Sequence, residues 1–84
     1  MTSQAKKIQQ MLARGDFKMS FHAEQRAIER FVLESDIMQC GRTVSRIKSQ
    51  DDMRTWKVTG KDLDGEKLTV VCKLRAGLLI VTVY

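Results

Sequence analysis

The chain contains no proline, one histidine, two cysteines, three phenylalanines, one tryptophan and one tyrosine in 84 residues. The lack of proline excludes Pro-rich linkers and ligand segments. Cys40 and Cys72 are too few and too far apart for a disulfide scaffold or a zinc cluster, and are expected to be small buried hydrophobes in a reducing compartment. The longest apolar stretch, Leu78 to Val83 with Thr82 inside it, is far short of the roughly 20 residues a membrane span needs. No apolar run follows Lys6 and Lys7, so the start of the chain does not read as a secretory signal. A Gly-rich phosphate loop, a nucleophile elbow and a metal-ligand pair are all missing, so no cofactor and no metal is implied. These absences lead to the expectation of a soluble, cytoplasmic protein with no membrane partner.

What is present fits one small domain, 1–84, with no room for separate cofactor and substrate domains. Hydrophobic residues make up 43% and charged residues 30%, a globular balance that argues against wholesale disorder. Ala5, Ile8, Met11 and Leu12 recur at helical spacing before Gly15, which predicts a helix over 4–14 with a glycine stop. Ser20 offers an N-cap to a second helix, about 21–33, whose core-facing side is predicted to carry Phe21, Ile28 and Val32, with Ala27 and Phe31 on the adjoining arc. Ser35 and Asp36 start a short third helix through Ile37, Met38 and Cys40, which Gly41 is expected to stop.

Beyond Gly41 the period changes from helical to alternating. Thr43–Lys48, Arg54–Thr59, Lys67–Leu74 and Leu78–Tyr84 read as four strands. The third is the clearest, with Leu68, Val70, Cys72 and Leu74 on one face and Lys67, Thr69, Val71 and Lys73 on the other. Asp64-Gly65 and Arg75-Ala76-Gly77 supply hairpin turns. The last strand is apolar on both faces, which suits a central strand or one covered by a partner. The expected fold is α+β, a two-layer domain with N-terminal helices packed on a four-stranded antiparallel sheet.

The formal net charge is +5, and it is uneven: residues 1–50 carry nine basic and five acidic side chains, residues 51–84 six and five. Such an excess can attract phosphate backbones or simply keep a small domain soluble. The segment Ser20-Phe21-His22-Ala23-Glu24-Gln25-Arg26-Ala27-Ile28-Glu29-Arg30 is the most informative. His22, Arg26 and Arg30 recur at i, i+4 and i+8, one flank of a helix spanning about 80° of arc. An imidazole that titrates near neutrality, with two guanidiniums suited to phosphate oxygens, supplies parts that metal-free RNA cleavage needs. His22 would serve as base or acid, leaving the second proton-transfer group to come from elsewhere, with Tyr84, Lys57 and Glu24 as candidates. Phosphate binding without catalysis and a purely structural role are the alternatives.

The pattern Ser20-x-His22-Ala23-x-x-Arg26-x-x-x-Arg30, followed by a short helix, Val58-x-Gly60, Leu68-Thr69-Val70-Val71 and the closing Val81-Thr82-Val83-Tyr84, resembles the bacterial family known as domain of unknown function 4258. The resemblance covers about 18–84 and leaves 1–17 as a helical extension. It implies kinship with small RNA-cleaving toxins of the RelE and BrnT kind, which act on RNA without metal and pair helices with an antiparallel sheet. Carried over by residue, it assigns His22, Arg26 and Arg30 to the family's polar motif and Thr82 and Tyr84 to its closing strand. Members often carry Arg-Gly after the motif helix, where this chain has Arg30-Phe31.

The leading expectation is therefore a metal-independent RNA-binding or endoribonuclease-like domain. His22, Arg26 and Arg30 form its catalytic group; Arg42, Arg46, Lys48 and Lys57 extend the nucleic-acid track; Thr82 and Tyr84 are auxiliary. Expected partners are RNA, a cognate antitoxin-like protein and a second copy of the chain. The alternative is a non-catalytic interaction module, homodimeric through the doubly apolar last strand or the first helix. Trp56 shares a strand face with Val58 and Gly60, which points to the core, although Arg54 and Lys57 beside it would also suit a base-stacking platform. Gln50-Asp51-Asp52 and the Asp62–Glu66 segment read as solvated turns rather than cation sites.

Overall fold

The stripe of Ala5, Ile8, Met11 and Leu12 makes one buried face of the first helix, α1 (Ser3–Arg14). In the computed structural model, which describes residues 3–50 and 54–84, that face packs on α3 (Glu34–Arg42). α1 ends at Gly15 with the Asp16 N–H donating to the Met11 carbonyl, the helix stop its sequence predicts. β1 (Lys18–Met19) and α2 (Phe21–Glu29) follow, and after α3 come β2 (Arg46–Gln50), β3 (Thr55–Lys61), β4 (Lys67–Leu74) and β5 (Leu78–Val83).

The sheet has five strands in the order β1-β5-β4-β3-β2, and it is mixed. β2 to β5 form the expected antiparallel meander, but β1 adds to its end by pairing parallel with β5. The expected four-stranded antiparallel sheet is thus corrected to a five-stranded mixed one. Two residues are too short to carry an alternating signal, and Lys18-Met19 is a strand because Leu79 and Ile80 lie beside it. β5 consequently lies inside the sheet, the central placement its apolar run suited.

The helices depart from expectation at their ends. α2 stops at Glu29 rather than near 33, because Phe31 takes a left-handed conformation at φ 56°. The Phe31 N–H donates to the Ile28 carbonyl and the Val32 N–H to the Ala27 carbonyl, closing the last turn. Gly41 lies inside α3 and does not stop it. A Cβ there would come within 2.6 Å of the Ala13 nitrogen and 2.7 Å of the Leu12 Cβ, so Gly41 is where α1 and α3 touch. Gly60 does the same on the sheet side, where an added Cβ would collide with the Cys40 carbonyl oxygen. These two glycines let α3 sit between α1 and β3. Thr43 caps α3 instead of opening a strand: its hydroxyl donates to the Gln39 carbonyl and accepts from the Lys61 N–H, so β2 begins only at Arg46.

The predicted core face of α2 is also corrected, except at Val32, which is half-buried against the core. Phe21 and Ile28 are each 75% exposed and Phe31 is 90% exposed, while Ala23 and Ala27 are buried. The N-terminus of α2 is held against β5, with the Ser20 N–H donating to the Ile80 carbonyl and the Ser20 hydroxyl to the Val81 carbonyl. The same hydroxyl accepts from the Ala23 N–H, the expected N-cap. Helix and strand are so close there that only small side chains fit between them. The remaining core joins Ile8, Leu12, Ile37 and Cys40 to Trp56, Val58, Val70, Cys72, Ile80 and Val83. Trp56 is buried and unavailable for base stacking. The turn expected at Asp51-Asp52 lies outside the described residues.

Candidate functional site

Alternation along the strands sends Trp56, Val58 and Gly60 toward α3 and leaves Lys57, Thr59 and Lys61 on the opposite face of β3. Ladder register then fixes what stands beside them. Lys48 of β2 lies directly opposite Lys57, Arg46 opposite Thr59, and Lys67 of β4 opposite Lys61. Thr69 lies opposite Thr59 on the other side. Beyond β5, Tyr84 is tied to Thr69 by two backbone bonds, Thr69 N–H to the Tyr84 carbonyl at 2.7 Å and Tyr84 N–H to the Thr69 carbonyl at 2.9 Å.

These residues line a concavity of about 970 Å³. Six cations surround it: Arg30, Arg46, Lys48, Lys57, Lys61 and Lys67. Among the described residues no aspartate or glutamate lines it, and none of the six cations forms an ion pair. Elsewhere two acidic side chains hold turns. Asp36 accepts from the backbone N–H groups of Leu33 and Leu63, and Asp62 from those of Asp64 and Glu66, as suits the hairpin turn expected there. At the edge of the concavity the Lys57 ammonium lies 5.3 Å from the centroid of the Tyr84 ring. That ring presents an aromatic face beside a cation, and Tyr84 is 40% exposed.

The residues expected to carry function divide into two groups. Arg30, Arg46, Lys48, Lys57 and Tyr84 come together in the concavity. His22, Arg26, Arg42 and Thr82 do not line it. His22 is exposed in the first turn of α2, and its imidazole makes no hydrogen bond or ion pair among the described residues. Arg26 is half-buried, with Nη1 3.8 Å from the Glu29 carboxylate and a buried Nε that has no partner among the described residues. Because Ala23 and Ala27 face inward, Arg26 and Arg30 lie next to the buried side of α2 and His22 farther round it. Arg42 ends α3 in solvent, and Thr82 is half-buried opposite Val71.

Sequence reasoning missed Lys61 and Lys67 as members of the site. Period-two alternation does put Lys67 and Thr69 on one strand face, but cross-strand register decides which other cations join them. Neither cysteine offers a nucleophile. Burial raises the Cys40 thiol to about 11 and the Cys72 thiol to about 12, and Cys40 donates its S–H to the Leu68 carbonyl.

The profile of the family described as Domain of unknown function (DUF4258) matches residues 19–84. The chain belongs to this family. The match takes in α2, α3 and the whole meander, so every residue lining the concavity lies within the family's region, while α1 precedes it. No curated protein and no solved structure matches the chain.

Proposed function

We propose that this DUF4258 domain binds RNA on the cationic face of its sheet. The observation that carries the reading is the set of six cations around one concavity, free of ion pairs and with no aspartate or glutamate in the lining among the described residues. A chain with ten acidic residues has ample means to neutralise such a cluster. Leaving it uncompensated creates a positive potential that attracts a phosphate backbone and concentrates it at the sheet. The Tyr84 ring beside Lys57 adds a surface on which a base can stack.

Catalysis belongs to the same proposal as its finer part. Metal-independent cleavage of the RelE and BrnT kind would draw on His22 for proton transfer and on Arg26 and Arg30 for the phosphate, with the strand passing from the concavity along α2 at Arg30. Titrating labelled RNA in EDTA at two salt concentrations tests both parts. Binding that weakens steeply with salt, and is weaker in a Lys48→Gln/Lys57→Gln variant, is the expected result; salt-independent binding overturns it. Cleavage in EDTA that disappears in His22→Ala supports the enzyme reading, and equal background from both proteins removes it.

A second reading rests on a different observation. Phe21, Ile28, Phe31 and Leu33 are all more than half exposed along α2 and its exit, an apolar surface of the kind that marks protein contacts. On this reading the domain is an interaction module, its partner an antitoxin-like protein or a second copy of the chain. Sedimentation at micromolar concentration tests the second copy: a clean monomer removes that version. No helix among the described residues is long and apolar enough to cross a membrane.

A further inference from the structure

Resting on the RNA-binding reading, we infer that the cationic face is built for a single-stranded nucleic acid whose backbone runs along β3, one phosphate to each of three successive rungs of the sheet. The rungs follow from the register. Lys48 and Lys57 make the first, Arg46 with Thr59 and Thr69 the second, and Lys61 with Lys67 the third. They meet β3 at residues 57, 59 and 61, two residues apart, which sets them about 7 Å from one another. That repeat matches successive phosphates of an extended strand.

Two of the rungs place like charges directly across a ladder, an arrangement that destabilises a sheet. Both lie on the same face and line the same concavity. Neither pair has a carboxylate partner among the described residues. A lone anion would relieve one rung and leave the other, whereas a linear polyanion with the right repeat relieves both. The site is therefore matched to a polymer rather than to a single phosphate.

Tyr84 decides between one strand and two. Its backbone is bonded to Thr69, in the middle rung, and its ring stands beside Lys57 in the first. An aromatic ring there can take an unpaired base by stacking, but a duplex keeps its bases inside its own stack. The shared chemistry is a phosphodiester strand with unpaired bases. Ribose and deoxyribose versions are separated by the experiment.

Fluorescence anisotropy with a length series of labelled oligouridylates, a matched oligodeoxythymidylate series and a short RNA duplex tests this. Affinity is expected to climb until about three phosphates are present and to rise only slowly beyond, with a slope of log K against log salt near −2, from about −0.7 per phosphate. The Lys61→Gln/Lys67→Gln variant should move the break one nucleotide shorter and flatten the slope by about 0.7. Tyr84→Ala should lower single-strand affinity about tenfold and leave any duplex binding unchanged. Equal affinities of the two series mean that the backbone alone is read, and a ribose preference adds a contact to the 2′-hydroxyl; each is compatible with the rungs. Duplex binding as tight as single-strand binding, or a length series without a break, overturns the inference while leaving RNA binding intact. Failure of every nucleic acid to bind the folded protein overturns the RNA-binding reading itself.

Discussion

The Lys57 ammonium and the Tyr84 ring meet at 5.3 Å across the sheet, with β4 lying between the strand that carries one and the strand that leads to the other. The contact joins the meander's second strand to the end of the chain. A partly exposed cation–π pair contributes about 0.5–1 kcal/mol. A double-mutant cycle of Lys57→Met and Tyr84→Leu in urea unfolding, read by the fluorescence of the buried Trp56, should return a coupling of that size. A coupling of zero would make the two side chains independent.

Facing lysines give a second expectation. Lys48→Thr removes the repulsion against Lys57 and should raise stability by a few tenths of a kcal/mol, more at low salt than at high. The same variant should bind RNA more weakly. Thermal unfolding at two ionic strengths checks the first effect and anisotropy the second. Destabilisation by Lys48→Thr at low salt would count against the frustrated ladder.

The exit of α2 is strained in a way one substitution tests. Phe31 adopts φ 56° and is 90% exposed, so its ring contributes little packing to offset the left-handed backbone. Phe31→Gly should stabilise the domain by about 0.5–1 kcal/mol, net of the extra freedom glycine gives the unfolded chain. Phe31→Ala keeps the strain and should be nearly neutral. Equal effects of the two in denaturant melts would put the change in the ring rather than the backbone.

Gly41→Ala tests the helix contact. With an added Cβ 2.6 Å from the Ala13 nitrogen, α1 and α3 must move apart, and the cost should exceed about 2 kcal/mol. Were Gly41 merely the end of a helix, alanine there would be tolerated. The melting temperature separates the two outcomes.

The buried thiols predict an alkaline limit. Cys40 and Cys72 hold their protons to about 11 and about 12 in the folded chain because burial disfavours the thiolate. The unfolded thiols ionise near their ordinary 9.0, so the folded state binds more protons above that pH. Stability from this source is complete below about pH 9 and is lost as pH rises toward 11 and 12. Urea midpoints measured from neutral to alkaline pH should fall in that window, and less steeply in Cys72→Ala.

Much of this was legible in the residues, for physical reasons that also mark where legibility ended. The α1 stripe, the Ser20 cap and the strand Lys67–Leu74 were readable because each is a local pattern with one period. The orientation of α2 was not, since two alanines between larger apolar residues look like filler until a strand is known to press on them. β1 is a strand only by virtue of β5. Four of the six cations of the site, Arg30, Arg46, Lys48 and Lys57, were foreseen, but Lys61 and Lys67 entered through pairing across the sheet, which no single strand displays.

The two-residue β1 has a consequence for self-association. On its side of the sheet it offers too short a border for another molecule to zip onto, so β2 is the one flank long enough to accept a strand. An array joined flank to flank would have to stop at a pair, and Arg46 and Lys48 charge even that seam. The fold thereby carries its own brake against fibre growth.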